Sequence, residues 1–391
     1  MTSPEDAIWA PTPEPPEAER LVAEGVPARL APLLARRGLH SGDEARSFFR
    51  PSLDDLHDPL LLKGMEAAVA RLLRAKESGE RVAVVGDYDV DGVTGTALLV
   101  VVLGACGIDV EAVLPHRLRD GYGFQETQVE KAATLGCSLV VTVDCGTTST
   151  PAVLAAERAG IDVIITDHHI PAADLPRHAI QINPRQEGCG YPFAELSGVG
   201  LALKLAQAVA RASGREVPVA ALLRVACLGT IADLVPLVGE NRVIAALGLE
   251  ALRRTRSCGL RALIRSAGLT PPFQADDVGF RLGPRINAAG RLRSPDEALE
   301  LLLTRDPDRA EALAAELEAC NQERRDQEQK VVDEAREMVL ERDPLPGIIV
   351  AWSPGWHRGV VGIAASRLAR EFHRPALLLS ADEEIAVGSG R

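Results

Sequence analysis

Along the first half of the chain, short apolar runs alternate with stretches of helical period. VAVV (82–85) is β-branched or small throughout, which suits a strand buried on both faces. DVEAVLP, SLVVTV, DVIIT and HAIQIN read as further strands. MEAAVARLLRAK leads into the first run, ALLVVVLGAC follows it after Gly95, and AVLAAERAG stands between two later ones, each with helical spacing. The alternation predicts an α/β fold, a parallel sheet with helices on both faces.

Further on, the pattern changes. Residues 197–212, opened by SGVG, and 217–232 read as helices, the second delivering Asp233 in TIADLVPL. Asp306-Pro307-Asp308 supplies an N-cap, a proline at the first helical position and an acid in the first turn, so a long helix starts there. Ala310, Leu313, Ala314 and Leu317 form one apolar face. Val331, Val332, Ala335, Met338 and Val339 restore it after NQERRDQEQK (321–330), which has no apolar residue. A helix polar all round in its middle predicts a span that crosses solvent between two domains. Pro344 and Pro346 end it. GIIVAW, WHRGVVGIAASRLARE and RPALLLS then predict strand, helix and strand of a second α/β unit, with IAVGSGR after them. So short a unit holds little core, and the chain is expected to stop inside it.

At the other end, residues 1–19 read as a loose proline-rich arm and 20–49 as short helices, with a capping box at Ser41 and Glu44. The division expected is 1–60 arm and helical segment, 61–240 sheet domain, 241–305 arginine-rich helical extension, 306–343 long connecting helix and 344–391 partial second domain.

Composition narrows the class. A net charge of −12 argues against a general nucleic-acid binder, and 3% aromatic residues exclude widespread base stacking. The charge is uneven, however. Residues 1–60 hold eleven Asp/Glu against six Arg/Lys, whereas 253–293 hold nine Arg against two Asp. The seven cysteines are scattered, odd in number and without a C-x-x-C pair, which predicts reduced thiols. The amino terminus lacks the features of a signal peptide, and the longest apolar run, 97–108, is too short to span a bilayer. A soluble cytoplasmic protein is expected.

Three apolar runs end in acidic turns: GDYDVDG with Asp87, Asp89 and Asp91, DCGTTS with Asp144, and DHH with Asp167, His168 and His169. Alone, the first turn fits a solvated loop as well as a metal site. In a parallel sheet the three turns share the carboxyl edge and converge. Carboxylates that close repel one another, and a divalent cation offsets them; oxygen donors with imidazoles suit Mn²⁺ and Mg²⁺. Cys145, beside Asp144, is expected to be a small filler, since no base stands near it. GPRINAAGR (283–291) offers Arg285, Asn287 and Arg291 among glycine and alanine, which predicts close approach to a phosphate; an exposed basic loop is the alternative.

In order along the chain, GDYDVDG (86–92), VDCG (143–146), DHH (167–169) and IADLVPL (231–237) resemble the four motifs of DHH-superfamily phosphoesterases. GPRINAAGR, WHRGVVGIAASRL, the final GSGR and the amino-terminal FFRPSLDDLHDPLLLKGM are similar to the bacterial RecJ branch, from about residue 30 to 391. The resemblance implies a DHH domain, a DHHA1-type second domain, and a 5′→3′ exonuclease on single-stranded DNA in recombination and repair, using two Mn²⁺ or Mg²⁺. It implies metal ligation by Asp87, Asp89, Asp91, His168 and Asp233, with Asp144 bridging. His169 would contact the scissile phosphate and Asp167 would orient the histidine pair, making His169, Asp167 and Asp144 the catalytic set. Arg117, Tyr122, His357, Ser389 and Arg391 would join Arg285, Asn287 and Arg291 against substrate phosphates. Val85 stands where the pyrophosphatase branch carries a metal-binding histidine, which disfavours that activity. Single-stranded DNA is the implied partner, with a single-strand-binding protein or helicase as candidates, no membrane and a monomeric state. The rival readings are a phosphodiesterase of cyclic dinucleotides or short oligonucleotides, and a catalytically silent nucleic-acid-binding or scaffold protein.

Overall fold

The computed structural model describes residues 13–171, 175–342, 344–381 and 385–391. Most of the expected amino-terminal arm, residues 1–12, lies outside the described residues. Three short helices follow: α1 (Glu17–Ala23), α2 (Ala31–Ala35) and α3 (Gly42–Phe49). The capping box of α3 is formed. Ser41 Oγ accepts the Glu44 N–H at 3.2 Å, and the Glu44 carboxylate accepts the Ser41 N–H at 3.2 Å.

Next come α4 (Met65–Ser78), β1 (Arg81–Gly86), α5 (Val90–Ala105), β2 (Asp109–Val113), α6 (Glu126–Thr134), β3 (Cys137–Val143), α7 (Thr150–Arg158), β4 (Asp162–Thr166) and β5 (Ala179–Ile182). The strands are all parallel, in the order β2-β1-β3-β4-β5. Strand alternation sends Val82 and Val84 to the face covered by α4, α5 and α8 (Gly198–Ala212). It sends Ala83 and Val85 to the face covered by α6 and α7, where Cys145 is also buried as a filler.

Register brings the strand ends level. Gly86 faces Val143, Val143 faces Thr166 and Thr166 faces Ile182. The ladder runs one residue further, with the Asp144 N–H donating to Thr166 O at 3.0 Å and the Asp167 N–H to Ile182 O at 3.1 Å. Both aspartates therefore leave the same edge with pinned backbones.

Helix α5 starts earlier than its apolar pattern predicts, at Val90 and not after Gly95. Asp89 is its N-cap, accepting the N–H groups of Asp91 (2.9 Å) and Gly92 (3.1 Å). The turn of three aspartates is thus a loop residue, a cap and a first-turn helix residue.

The chain continues through α9 (Val219–Ala232), α10 (Gly239–Arg253), α11 (Cys258–Ser266), α12 (Ala275–Asp277), α13 (Gly283–Leu292), α14 (Asp296–Leu303) and α15 (Pro307–Leu340). GPRINAAGR is therefore helix, as the reading of 241–305 expects, and not the exposed basic loop of the alternative. A π-helical turn, Val278–Leu282, joins α12 to α13 without a break, and Pro284 stands at that junction. Three arginines of the basic stretch tie it to α15: Arg265 pairs with Glu311, Arg285 with Glu318, and Arg293 with Glu323 at 3.2 Å.

The first half of α15 packs Ala310, Leu313, Ala314 and Leu317 into the core of the sheet domain. Its second half packs Val331, Val332, Ala335 and Val339 into a separate core. That core is shared with β6 (Ile349–Ser353), α16 (Val361–Phe372), β7 (Ala376–Ala381) and β8 (Ala386–Gly390). Strands β6 and β7 are parallel, while β8 runs antiparallel to β7. The polar middle of α15, residues 321–330, is exposed at six of its ten positions, as a span between two cores should be, but one face of it is covered. Asn321 and Glu328 are buried, and Glu328 accepts from Arg324 at 2.5 Å and from Arg367 of α16 at 3.3 Å. Ion pairs replace water along that face. The seven cysteines are free thiols, and among the described residues no helix is long and apolar enough to cross a membrane.

Candidate metal centre

The carboxyl edge of the sheet gathers Asp87, Asp89, Asp91, Asp144, Asp167, His168 and His169, and the end of α9 adds Asp233. Three donor sets form, each with its ligand atoms within 4.8 Å of one another: Asp87, Asp89 and Asp144; Asp91, His168 and Asp233; Asp144, His168 and His169. Asp144 and His168 each belong to two sets. The first has a φ of 61°, left-handed backbone that aspartate tolerates better than most residues. His168 Nε2 lies 3.0 Å from Asp144 Oδ1, 3.6 Å from Asp233 Oδ2 and 3.9 Å from Asp91 Oδ2.

Electrostatics follows from this crowding. Asp91 is buried and accepts the N–H groups of Gly198 (2.6 Å) and Val199 (2.9 Å) at the start of α8. Even so, burial first and the Asp233 and Asp89 charges next hold its carboxyl well above the usual range. Burial and Asp91 do the same to Asp144. Asp87 is pushed up to about 7 by burial and Asp89, and Asp233 also to about 7 by burial and Asp89. Burial and the neighbouring His169 push His168 down to about 4, leaving a neutral imidazole.

Asp167 behaves differently. Burial opposes its charge, yet hydrogen bonds from His169 Nδ1 (2.7 Å) and the Thr147 N–H (2.9 Å) hold it below the ordinary carboxyl range. Its hydrogen bond in turn raises His169, whose Nε2 lies 3.0 Å from the Tyr122 hydroxyl. Asp87 Oδ1 is buried without a partner. Acids that resist ionisation unaided, an orphaned carboxylate oxygen and a neutral imidazole fit a divalent cation.

A cavity of about 380 Å³ opens over the carboxylates, with Arg117, Tyr122, Asn287 and Arg291 on its rim. The Arg117 guanidinium lies 4.6 Å from the centre of the Tyr88 ring. Burial, then Arg117 and Arg324, push Arg291 down to about 10, so positive charge is concentrated there. Asn287 Oδ1 accepts the Val90 N–H at 3.1 Å and secures the start of α5.

Other expected contacts lie elsewhere. Arg285 turns away from the rim: it is buried, paired with Glu318, and donates to Arg281 O at 2.6 Å. On a helix, residues 285 and 291 project from different sides. His357, Ser389 and Arg391 belong to the second unit. His357 Nδ1 accepts the Gly359 N–H at 3.0 Å, and Arg391 Nη1 donates to Ser389 Oγ at 2.8 Å. Arg291 Nη1 joins that unit to the rim by donating to Gly359 O at 3.2 Å.

Two glycines escape sequence reasoning. A Cβ on Gly198 would sit 2.5 Å from Asp144 Cβ, and one on Gly229 would sit 2.6 Å from Asp91 Oδ1. Only glycine lets α8 and α9 close on the carboxylates. The SGVG opening of α8 is the single local signal.

The model of the DHH family, N-terminal domain, matches residues 81–230, from β1 to near the end of α9. Over 365 residues the chain is 44% identical to the single-stranded-DNA-specific exonuclease RecJ of Bacillus subtilis (strain 168), covering 93% of this chain and 46% of that protein. Its identity to RecJ of Dickeya dadantii (strain 3937) is 40% over 395 residues, covering 96% of this chain and 68% of that one. The chain belongs to the RecJ family. A crystal structure of RecJ bound to manganese superposes with a TM-score of 0.74 at 39% identity, covering 81% of this chain and 80% of that chain. RecJ of Thermus thermophilus in complex with Mg²⁺ gives a TM-score of 0.71 at 33% identity, covering 93% and 50%. The chain thus spans about half the length of the Bacillus and Thermus RecJ proteins and about two thirds of the Dickeya one.

Proposed function

We propose that the chain carries the catalytic centre of a metal-dependent exonuclease that removes nucleotides from the 5′ end of single-stranded DNA in recombination and repair. The observation that carries this reading is the trio of donor sets sharing Asp144 and His168 beneath a rim of Arg117 and Arg291. Asp87, Asp89 and Asp144 would hold one Mn²⁺ or Mg²⁺, and Asp91, His168 and Asp233, with Asp144 shared, the other. Bound there, the pair supplies an activated water and counter-charge for the leaving oxygen.

The other roles belong to side chains. His169, charged more readily than a free histidine because of Asp167, presents Nε2 beside Tyr122 at the mouth of the cavity. From there it can donate to a phosphate oxygen. Arg117 and Arg291 offer guanidinium forks, and a bound phosphate relieves their mutual repulsion. His357, Ser389 and Arg391 are read as contacts to a neighbouring phosphate. The substrate class draws its support from the relatives, described as single-stranded-DNA-specific exonucleases. We read residues 61–240 as the catalytic domain and 344–391 as part of a substrate-binding domain. A cytoplasmic monomer working beside a single-strand-binding protein or helicase completes the proposal; sedimentation and pull-down test those two points.

The direct test is incubation with Mn²⁺ and single-stranded DNA labelled at either end. Early mononucleotide release from the 5′ label supports the proposal. Cleavage confined to linear or cyclic dinucleotides points to a small-substrate phosphodiesterase, and no turnover to a silent binding protein. Asp144→Asn is expected to abolish turnover while raising the melting temperature of the metal-free protein at alkaline pH, where a buried carboxyl that resists ionisation would otherwise be forced to lose its proton. Retained turnover refutes the shared role.

A further inference from the structure

Two large aliphatic side chains stand in solvent just outside the lining of the cavity, and each directly follows one of the site's donors in the chain. Leu234 comes after Asp233 and is 84% exposed; Ile170 comes after His169 and is 76% exposed. The donors beside them meet, since His168 Nε2 lies 3.6 Å from Asp233 Oδ2. A lone exposed leucine would need no explanation. Leu234, however, has a φ of 62°, a left-handed conformation that a leucine adopts only at a cost. Nothing in the core recovers that cost, because the side chain points away from it. Glycine or asparagine would suit the backbone better, so the side chain itself needs a use.

The cavity defines what such a side chain could meet. Its floor is anionic and its rim carries Arg117 and Arg291. A ligand seated there has an anionic centre with an uncharged flank. In a nucleic-acid strand each phosphate is flanked by a sugar and a flat base. Aromatic platforms are the usual way to hold bases without reading them, but the two rings lining this cavity are already engaged: Arg117 lies over Tyr88, and Tyr122 stands edge-on to Tyr88 and His169. Aliphatic side chains offer the same indifference to sequence through dispersion and desolvation, without hydrogen bonds that would select one base.

We propose that Leu234 and Ile170 form an aliphatic seat for the nucleoside bonded to the phosphate being cut. The proposal rests on the exonuclease reading above. Neither residue is catalytic; both position substrate against the donor sets.

The test compares wild type, Leu234→Gly and Ile170→Ser on 5′-labelled oligothymidylate and on the same oligomer with an abasic 5′-terminal residue. Leu234→Gly is expected to melt a few degrees higher as the backbone strain is released. Its KM for oligothymidylate should rise about tenfold, as lost burial of one leucine implies, while kcat changes far less. Ile170→Ser should raise KM in the same direction. On the abasic oligomer the variants should match wild type. Unchanged KM in both variants, or an equal loss on the abasic oligomer, overturns the seat. If wild type cuts neither oligomer, the exonuclease reading falls on that control alone. Anisotropy of a labelled thymidine dinucleotide then decides the seat: binding about tenfold weaker in Leu234→Gly supports it. Equal binding, or none by wild type, overturns it.

Discussion

Lys204 and Glu240 form an ion pair in which both side chains are fully buried. Glu240 also accepts the His57 N–H at 2.9 Å and the Tyr191 hydroxyl at 2.6 Å, while Lys204 donates to His57 O at 2.8 Å. This hub pins the segment before α4 onto α8 and α10. Burial holds the Lys204 pKa below its ordinary value despite the carboxylate beside it. Glu240→Gln would strand that ammonium, and a loss of about 3–5 kcal/mol is expected in urea unfolding. The double change Lys204→Met with Glu240→Leu should recover most of it; no recovery would mean that the His57 contacts carry the stability. None of this is legible in sequence, where Lys204 is one polar residue in an apolar helix and its partner lies on another element. The acidic turns are legible because each follows its own apolar run, so chain order alone places Asp87, Asp144 and Asp167 on one edge.

At the scale of elements, the start of α8 is a structural part of the metal centre. Its first two N–H groups hold Asp91, and Gly198 leaves room for Asp144. Gly198→Ala is expected to keep the circular dichroism of the wild type while weakening Mn²⁺ binding by about 10–100-fold, as misplaced supports of ligands do. Wild-type affinity by isothermal titration would show that the backbone can give way. Sequence patterns find α8 but not what its first turn faces, because that contact joins residues far apart in the chain. They misplace the start of α5 for a different reason. Asp89 serves as a cap, and a capping aspartate cannot be told from a metal-binding one by spacing. They give the 241–305 stretch as helical but not the facing of α13: Arg285, Asn287 and Arg291 are offered together, and helical phase turns Arg285 away from the rim.

For the molecule as a whole, the buried carboxylates link stability to pH and to metal. Asp87 and Asp233 sit at about 7, above the ordinary carboxyl value of about 3.9. In metal-free protein their stabilising contribution is complete below about pH 4 and is lost as pH rises through about 7. Divalent cations need the ionised carboxylates. The rise in melting temperature on adding Mn²⁺ should therefore be small at pH 5 and large at pH 8, and EDTA should reverse it. Equal rises at both pH values would count against the carboxylates as ligands. Helix α15 carries a separate consequence. It runs unbroken for 34 residues from one core into the other, roughly 50 Å at 1.5 Å per residue. Such a rod transmits rotation as faithfully as distance. One residue inserted at its middle would turn the second core by about 100° about the helix axis and tear Gly359 from Arg291. Seven would nearly restore the angle but push the two cores about 10 Å apart. Length changes in this segment are therefore barred by phase as well as by reach, and the helix works as an axle keyed at both ends.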